Sequence, residues 1–128
     1  MSRSQASYSK KVIEHFKHPK NVGSIENADG IGKSSNGRTV FIELHIKVQD
    51  EIIVDAKFKT FGCGAAIAAS SMVTELILGK RITEALNITD STIFEALDGL
   101  PLEKEHCLAL AEKALKTAIA DYHGRKGV

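Results

Sequence analysis

Cys63 stands between two glycines, Gly62 and Gly64, where an apolar, β-rich run ending at Phe61 meets a helix-like run beginning at Ala65. Glycine on both sides lets the backbone turn sharply and lets another group come close to the sulfur. A cysteine at a helix N-terminus faces unpaired N–H groups and the positive end of the helix dipole. Both favour the thiolate, the form that binds metal or attacks. The second cysteine, Cys107, follows His106 at the start of the last helix-like segment. Thiolate and imidazole are good ligands for iron and zinc. Neighbours on a helix do not share a face, so His106 and Cys107 serve one ion only at an irregular helix start. Two thiols and one imidazole make three donors, one short of a closed tetrahedral site. The two cysteines lie too far apart in the chain to match a zinc-ribbon spacing. The residues alone therefore leave two readings open: a metal or sulfur site, or a cysteine buried in a tight strand-to-helix turn.

Other side chains with chemical capability read as structural. His15 and His18 flank a helix end, where a cationic ring suits the dipole. His45, on the polar face of a strand, and His123, near the C-terminus, read as solvated. Gly62-Cys63-Gly64 lacks the lysine and serine that make a phosphate loop. No base and oxyanion arrangement for a Cys–His hydrolase is visible, and nothing argues for turnover of a small substrate. The chain reads as a non-enzyme.

The elements that must carry these residues follow from periodicity. Ser9 to Lys17 reads as a short helix with Val12, Ile13 and Phe16 on one face, ending near His18-Pro19. Asn21 to Arg38 is a Gly-, Ser- and Asn-rich loop with room for a short edge strand. Thr39 to Val48 alternates, with Val40, Ile42, Leu44, Ile46 and Val48 on one side. After a turn at Gln49-Asp50-Glu51, Ile52, Val54, Ala56 and Phe58 alternate in the same way, which predicts an antiparallel hairpin.

Ala65 to Leu78 reads as a helix closed by Gly79, with small residues along its start. Thr83 to Leu86 and Thr89 to Leu97 read as short helices with threonine caps. Pro101 fits the first turn of a long final helix, whose stripe is Leu108, Ala111, Leu115, Ala118, Ile119 and Tyr122, stopped by Gly124. Strands followed by a run of helices predict an α+β fold: a small antiparallel sheet packed against several helices, with a long C-terminal helix.

The totals set the bounds. The 128 residues fit one domain, 1–128, with 43% hydrophobic and 26% charged residues, ordinary values for a soluble protein. A net charge of +1 with scattered basic residues argues against a nucleic-acid surface. No apolar run approaches the roughly 18 residues that span a bilayer, and the polar stretch from Met1 to Lys11 lacks the apolar core of a signal peptide. A cytoplasmic or equally reducing compartment is expected, with both cysteines free or metal-bound.

Several motifs then stand in one order. They are Tyr8-Ser9-Lys10-Lys11-Val12, His18-Pro19-Lys20-Asn21-Val22-Gly23, Asp55 through Gly64, Leu97-Asp98-Gly99-Leu100-Pro101, and His106-Cys107. In this the chain resembles, over nearly its whole length, the iron–sulfur cluster assembly scaffolds of the IscU type and the N-terminal domain of NifU. The resemblance implies a site at one end of an α+β domain, where sulfur from a cysteine desulfurase and iron are built into a [2Fe-2S] cluster for apoproteins. It implies three cysteines and an aspartate there, with a histidine beside the last cysteine. Cys63, His106 and Cys107 match three of those positions.

The first cysteine and the aspartate two residues after it are absent. Their stretch reads Ser34-Ser35-Asn36-Gly37-Arg38-Thr39-Val40, which places Asn36 or Arg38 at the missing cysteine. Neither residue is a thiol, and no carboxylate lies between Lys33 and Phe41. A family chaperone motif is altered to Leu100-Pro101-Leu102-Glu103-Lys104.

The expected function is a variant scaffold or carrier that handles iron or a [2Fe-2S] cluster through Cys63 and Cys107. Its missing ligands would come from a partner, or from a second copy in a homodimer. The expected partners are a cysteine desulfurase, recipient apoproteins and a chaperone. Two rivals stand beside it: a non-assembling interaction protein of the same pathway, and a zinc protein using Cys63, His106 and Cys107.

Overall fold

The computed structural model describes residues 8–126. The first seven positions of the polar N-terminal stretch, and the last two residues, lie outside the described residues. Helix α1 (Lys10–Lys17) is followed by β1 (Gly30–Ser35), β2 (Phe41–Gln49) and β3 (Ile52–Phe61). Then come α2 (Gly64–Ile77), α3 (Ile82–Ala85), α4 (Asp90–Ala96), a 3₁₀ turn at Leu102–Lys104, and α5 (His106–Arg125). The sheet is antiparallel throughout, in the order β1-β2-β3. It is the expected α+β arrangement, with the edge strand β1 formed inside the glycine-rich loop.

The β2–β3 connection is a two-residue hairpin in which Asp50 and Glu51 both take positive φ, 55° and 65°. That is the turn whose twist matches the twist of the strands it joins. The Glu51 carboxylate accepts hydrogen bonds from the Tyr122 hydroxyl and the Lys126 ammonium, both at 2.8 Å. The hairpin tip is thereby tied to the end of α5.

Of the five residues expected to face inward, Val40, Ile42, Leu44 and Ile46 are buried and Val48 is half-buried, and the strand itself begins at Phe41. In β3 the expected alternation breaks. A bulge opposite Lys47 and Val48 shifts the register, so Ile53 is buried while Val54 is exposed. A bulge adds one unpaired residue to a strand, so the inward parity differs on its two sides: Ile53 faces in before it, and Ala56 and Phe58 face in after it as expected.

Helix α2 lies over β3, and α5 lies over β1 and β2. β1 offers α5 only small residues. A Cβ on Gly32 would lie 2.0 Å from the Ala114 carbonyl oxygen, and one on Gly30 would lie 2.3 Å from that of Ala118. The Ser34 hydroxyl donates to the Leu110 carbonyl at 2.6 Å, and the Ile31 N–H donates to Asp121 at 2.8 Å. The stripe of α5 is buried as expected, but the helix begins at His106 rather than at Pro101 and runs past Gly124. Pro101 instead precedes the separate 3₁₀ turn.

Helix α1 differs from expectation in which face it buries. Val12 and His15 point inward, while Ile13 and Phe16 remain 39% and 50% exposed. His15 is placed by hydrogen bonding: its Nδ1 sits 2.7 Å from the Ser71 hydroxyl of α2, and its Nε2 lies 3.3 Å from Glu75. His45 is likewise buried rather than solvated. Its Nδ1 accepts from the Ile25 N–H at 3.1 Å, so its Nε2–H donates to Glu43 at 2.6 Å. A ring with both nitrogens satisfied can be buried at little cost. The same bond, ahead of opposing burial, holds the Glu43 carboxyl below its usual range.

Candidate functional site

The end of β3, the start of α2 and the start of α5 meet at one end of the sheet, and each brings part of the site. Cys63 occupies the N-cap position of α2 with extended backbone, and its carbonyl accepts the Ala66 and Ile67 N–H groups at 3.0 and 3.2 Å. Its glycine neighbours have separate reasons. The Phe16 ring of α1 lies across Gly64, where a Cβ would come within 2.9 Å of it. The turn between β1 and β2 lies over Gly62, with the Thr39 carbonyl 3.3 Å from where a Cβ would stand.

The two cysteines converge. Cys107, in the first turn of α5, has no exposed surface, and it lies near enough to Cys63 for each sulfur to affect the other's acidity. Burial first, and then the adjacent Cys63 sulfur, push the Cys107 thiol up to about 12, against the pull of Lys104. At Cys63 burial also opposes ionisation. The N–H groups of Ala66 and Ala65, the charge of Lys104 and the Cys107 thiol outweigh it and hold Cys63 below the ordinary thiol range. The pair is thus asymmetric: a partly exposed sulfur held below the ordinary thiol range beside a buried one held above it.

His106 is exposed, and its Nε2 lies 3.7 Å from the Cys107 sulfur. Adjacent helical positions diverge, and this contact exists because the helix starts there. Among the described residues, no three histidine, cysteine, aspartate or glutamate side chains are arranged to hold one metal ion. The convergent donors on this chain are a pair of thiols with an imidazole at their edge.

The β1–β2 turn, where Asn36 and Arg38 stand, supplies no donor. The Asn36 side-chain oxygen accepts the N–H groups of Arg38, Thr39 and Val40 at 3.0, 2.9 and 2.9 Å, and its amide donates to the Thr39 hydroxyl at 2.9 Å. It is consumed in holding the turn. Arg38 is exposed on the same turn, one residue from the Thr39 carbonyl that covers Gly62.

Three features of the site were not singled out from sequence. Lys104, on the 3₁₀ turn, acts electrostatically on both cysteines. Phe61 and Leu102, two and five residues before the cysteines, are 73% and 81% exposed, and the Phe16 ring lies across Gly64. Beside it runs a groove of about 300 Å³ lined by Tyr8, Val12, Ile13, Phe16, Lys17 and Gly64. The signal available beforehand was an aromatic and a leucine two and five residues before the cysteines, at positions where the fold has no core left to receive them.

An antiparallel sheet lies under a long C-terminal helix, and both cysteines stand at the end where β3, α2 and α5 meet. The chain belongs to the NifU-like N-terminal domain family, whose model matches residues 7–128. The iron-sulfur cluster assembly scaffold protein IscU 1 of Archaeoglobus fulgidus is 53% identical over 121 residues, covering 94% of this chain and 79% of the relative. The scaffold protein IscU of Escherichia coli (strain K12) is 50% identical over 124 residues, covering 93% and 96%. Among solved structures, a putative scaffold protein for the SUF system from Fervidobacterium islandicum superposes with a TM-score of 0.73. It is 25% identical and covers 91% of this chain and 98% of that one. No helix among the described residues is long and apolar enough to cross a membrane.

Proposed function

We propose that this protein is a scaffold or carrier for iron or a [2Fe-2S] cluster, held through Cys63 and Cys107 with His106 beside them. The observation that carries the reading is the approach of two cysteines, distant in sequence, at the N-terminal end of α2. The relatives at about half identity are named as assembly scaffolds. The cargo is the substrate of such a protein rather than a resident cofactor. Cys63, partly exposed and biased toward thiolate, makes first contact with it. Cys107 gives up its proton only to a thiophilic ion that displaces it. Lys104 offsets the negative charge that gathers there. A cysteine desulfurase as sulfur donor and apoproteins as recipients follow from this role, as does a reducing compartment that keeps both thiols free.

The donor set fits the cargo only in part. Clusters of this type are held by four ligands, most often thiolates, and this chain has two cysteines in all. The chain therefore binds cargo with donors from outside itself.

Anaerobic reconstitution with iron and sulfide tests the role, read by visible absorbance and by iron per chain. Wild-type protein gains cluster absorbance, and the Cys63→Ser, Cys107→Ser double variant does not. Equal absorbance in the two would overturn the role of these thiols. A colourless protein that purifies with about one zinc per chain would favour the zinc reading. A metal-free protein that still captures a desulfurase would favour the interaction protein.

A further inference from the structure

We infer that Asn36-Gly37 is a self-deamidation site: the β1–β2 turn is arranged to convert the Asn36 amide into a carboxylate, with water as the only co-reactant. The reaction is intramolecular. The Gly37 nitrogen attacks Asn36 Cγ, a cyclic imide closes and ammonia leaves; water then reopens the ring. Each step finds a group already in place.

The nucleophile is unshielded. Gly37 has no Cβ, the space where one would stand is open for 4 Å around, and its φ of 82° is one that glycine adopts freely. Its nitrogen and Asn36 Cγ belong to neighbouring residues, so no encounter has to be awaited. The Gly37 N–H donates to the exposed Ser35 hydroxyl at 2.8 Å. That oxygen takes the proton as the N–Cγ bond forms and passes it to water.

The amide under attack is held for the purpose. Asn36 Oδ1 accepts from the N–H groups of Arg38, Thr39 and Val40 at 3.0, 2.9 and 2.9 Å. Attack at Cγ puts negative charge on that oxygen, so three fixed donors surround the place where charge develops. The leaving nitrogen, Asn36 Nδ2, lies 2.9 Å from the Thr39 hydroxyl. As the Cγ–Nδ2 bond breaks, this hydroxyl gives a proton to the departing ammonia and recovers one from water.

In the imide the same three N–H groups polarise the Cγ carbonyl. Water therefore opens the ring at Cγ, which yields aspartate rather than its isomer. The net change is hydrolysis of one side-chain amide to a carboxylic acid and ammonia. A carboxylate is a stronger acceptor for these donors, so the turn survives its own conversion. It gains a negative charge beside the exposed Arg38, where the Thr39 carbonyl lies over Gly62.

Incubation of the folded protein at neutral pH in heavy-oxygen water, followed by peptide mapping, tests this. Conversion at Asn36 is expected to run about tenfold or more faster than in the same protein unfolded in guanidinium, with one heavy oxygen in an aspartate. The Ser35→Ala, Thr39→Val variant changes only exposed side chains and is expected to keep the wild-type circular dichroism while converting about tenfold more slowly. Conversion no faster in the folded than in the unfolded protein would overturn the site. A mainly isoaspartate product would overturn the role of the three donors. A folded variant that converts as fast as wild type would overturn the parts given to Ser35 and Thr39.

Discussion

The Phe16 ring lies across Gly64 so closely that a methyl group there would fall 2.9 Å from it, whereas at Gly32 the same methyl would fall 2.0 Å from a backbone carbonyl. The two contacts differ in what can give way. Phe16 is half exposed and can swing into solvent, and alanine suits a helix start better than glycine. Gly64→Ala is expected to change stability by no more than about 1 kcal/mol. Gly32→Ala must push α5 off the sheet and is expected to cost about 3 kcal/mol or more. Urea unfolding of the two variants, followed by circular dichroism, measures the contrast; equal losses would contradict the packing described.

The asymmetry of the thiol pair should be visible in alkylation. At neutral pH, iodoacetamide is expected to modify Cys63 well before Cys107, which has no exposed surface and holds its proton. A short bifunctional thiol reagent should bridge the two within one chain. Peptide mapping identifies the sites, and failure to bridge would mean that the sulfurs do not face one another.

Alkaline pH should weaken the fold through Cys107. Its folded pKa, about 12, lies above the unfolded thiol value of about 8.5, so the native state binds this proton more tightly. The stability it contributes is complete below about pH 8.5 and is lost as pH rises toward 12. Wild-type urea midpoints should therefore fall more steeply between pH 8 and 10 than those of Cys107→Ala. Other groups titrate in both proteins, so the difference between the two curves isolates the thiol. Parallel curves would refute the assignment.

The β1–β2 turn separates two positions that the sequence could not tell apart. Asn36 holds three N–H groups, so Asn36→Ala is expected to cost about 1 kcal/mol, while Asn36→Asp keeps the acceptor and costs less. Arg38 is exposed, and Arg38→Cys is expected to leave unfolding unchanged while adding a thiol on the turn that covers Gly62. Cobalt(II) titration, followed by thiolate charge-transfer absorbance, should show tighter binding in Arg38→Cys than in wild type. No gain would place that position away from the sulfurs.

Much of this architecture is legible in the order of residues. The alternation of Ile42, Leu44 and Ile46, the glycine closing α2 and the stripe of α5 each encode a local period that tertiary packing then uses. The bulge at Val54 is not legible, because one inserted residue leaves the composition of β3 unchanged and alters only its register. Nor are the burials of His15 and His45, which depend on Ser71, Glu75, Ile25 and Glu43 arriving from elsewhere. Cys63 and Cys107 could be named as site candidates in advance. Their opposite acidities could not, since these arise from depth and from each other.

Because Gly30 and Gly32 let Ala118 and Ala114 press against β1, and Ser34 holds the Leu110 carbonyl, the sheet grips α5 from three residues past Cys107 onward. The deep sulfur therefore sits at the root of the helix, beside the part that the sheet holds. Any side chain added at Gly30 or Gly32 would lift Cys107 together with the helix that carries it, so a strand of small residues also sets the depth of that sulfur.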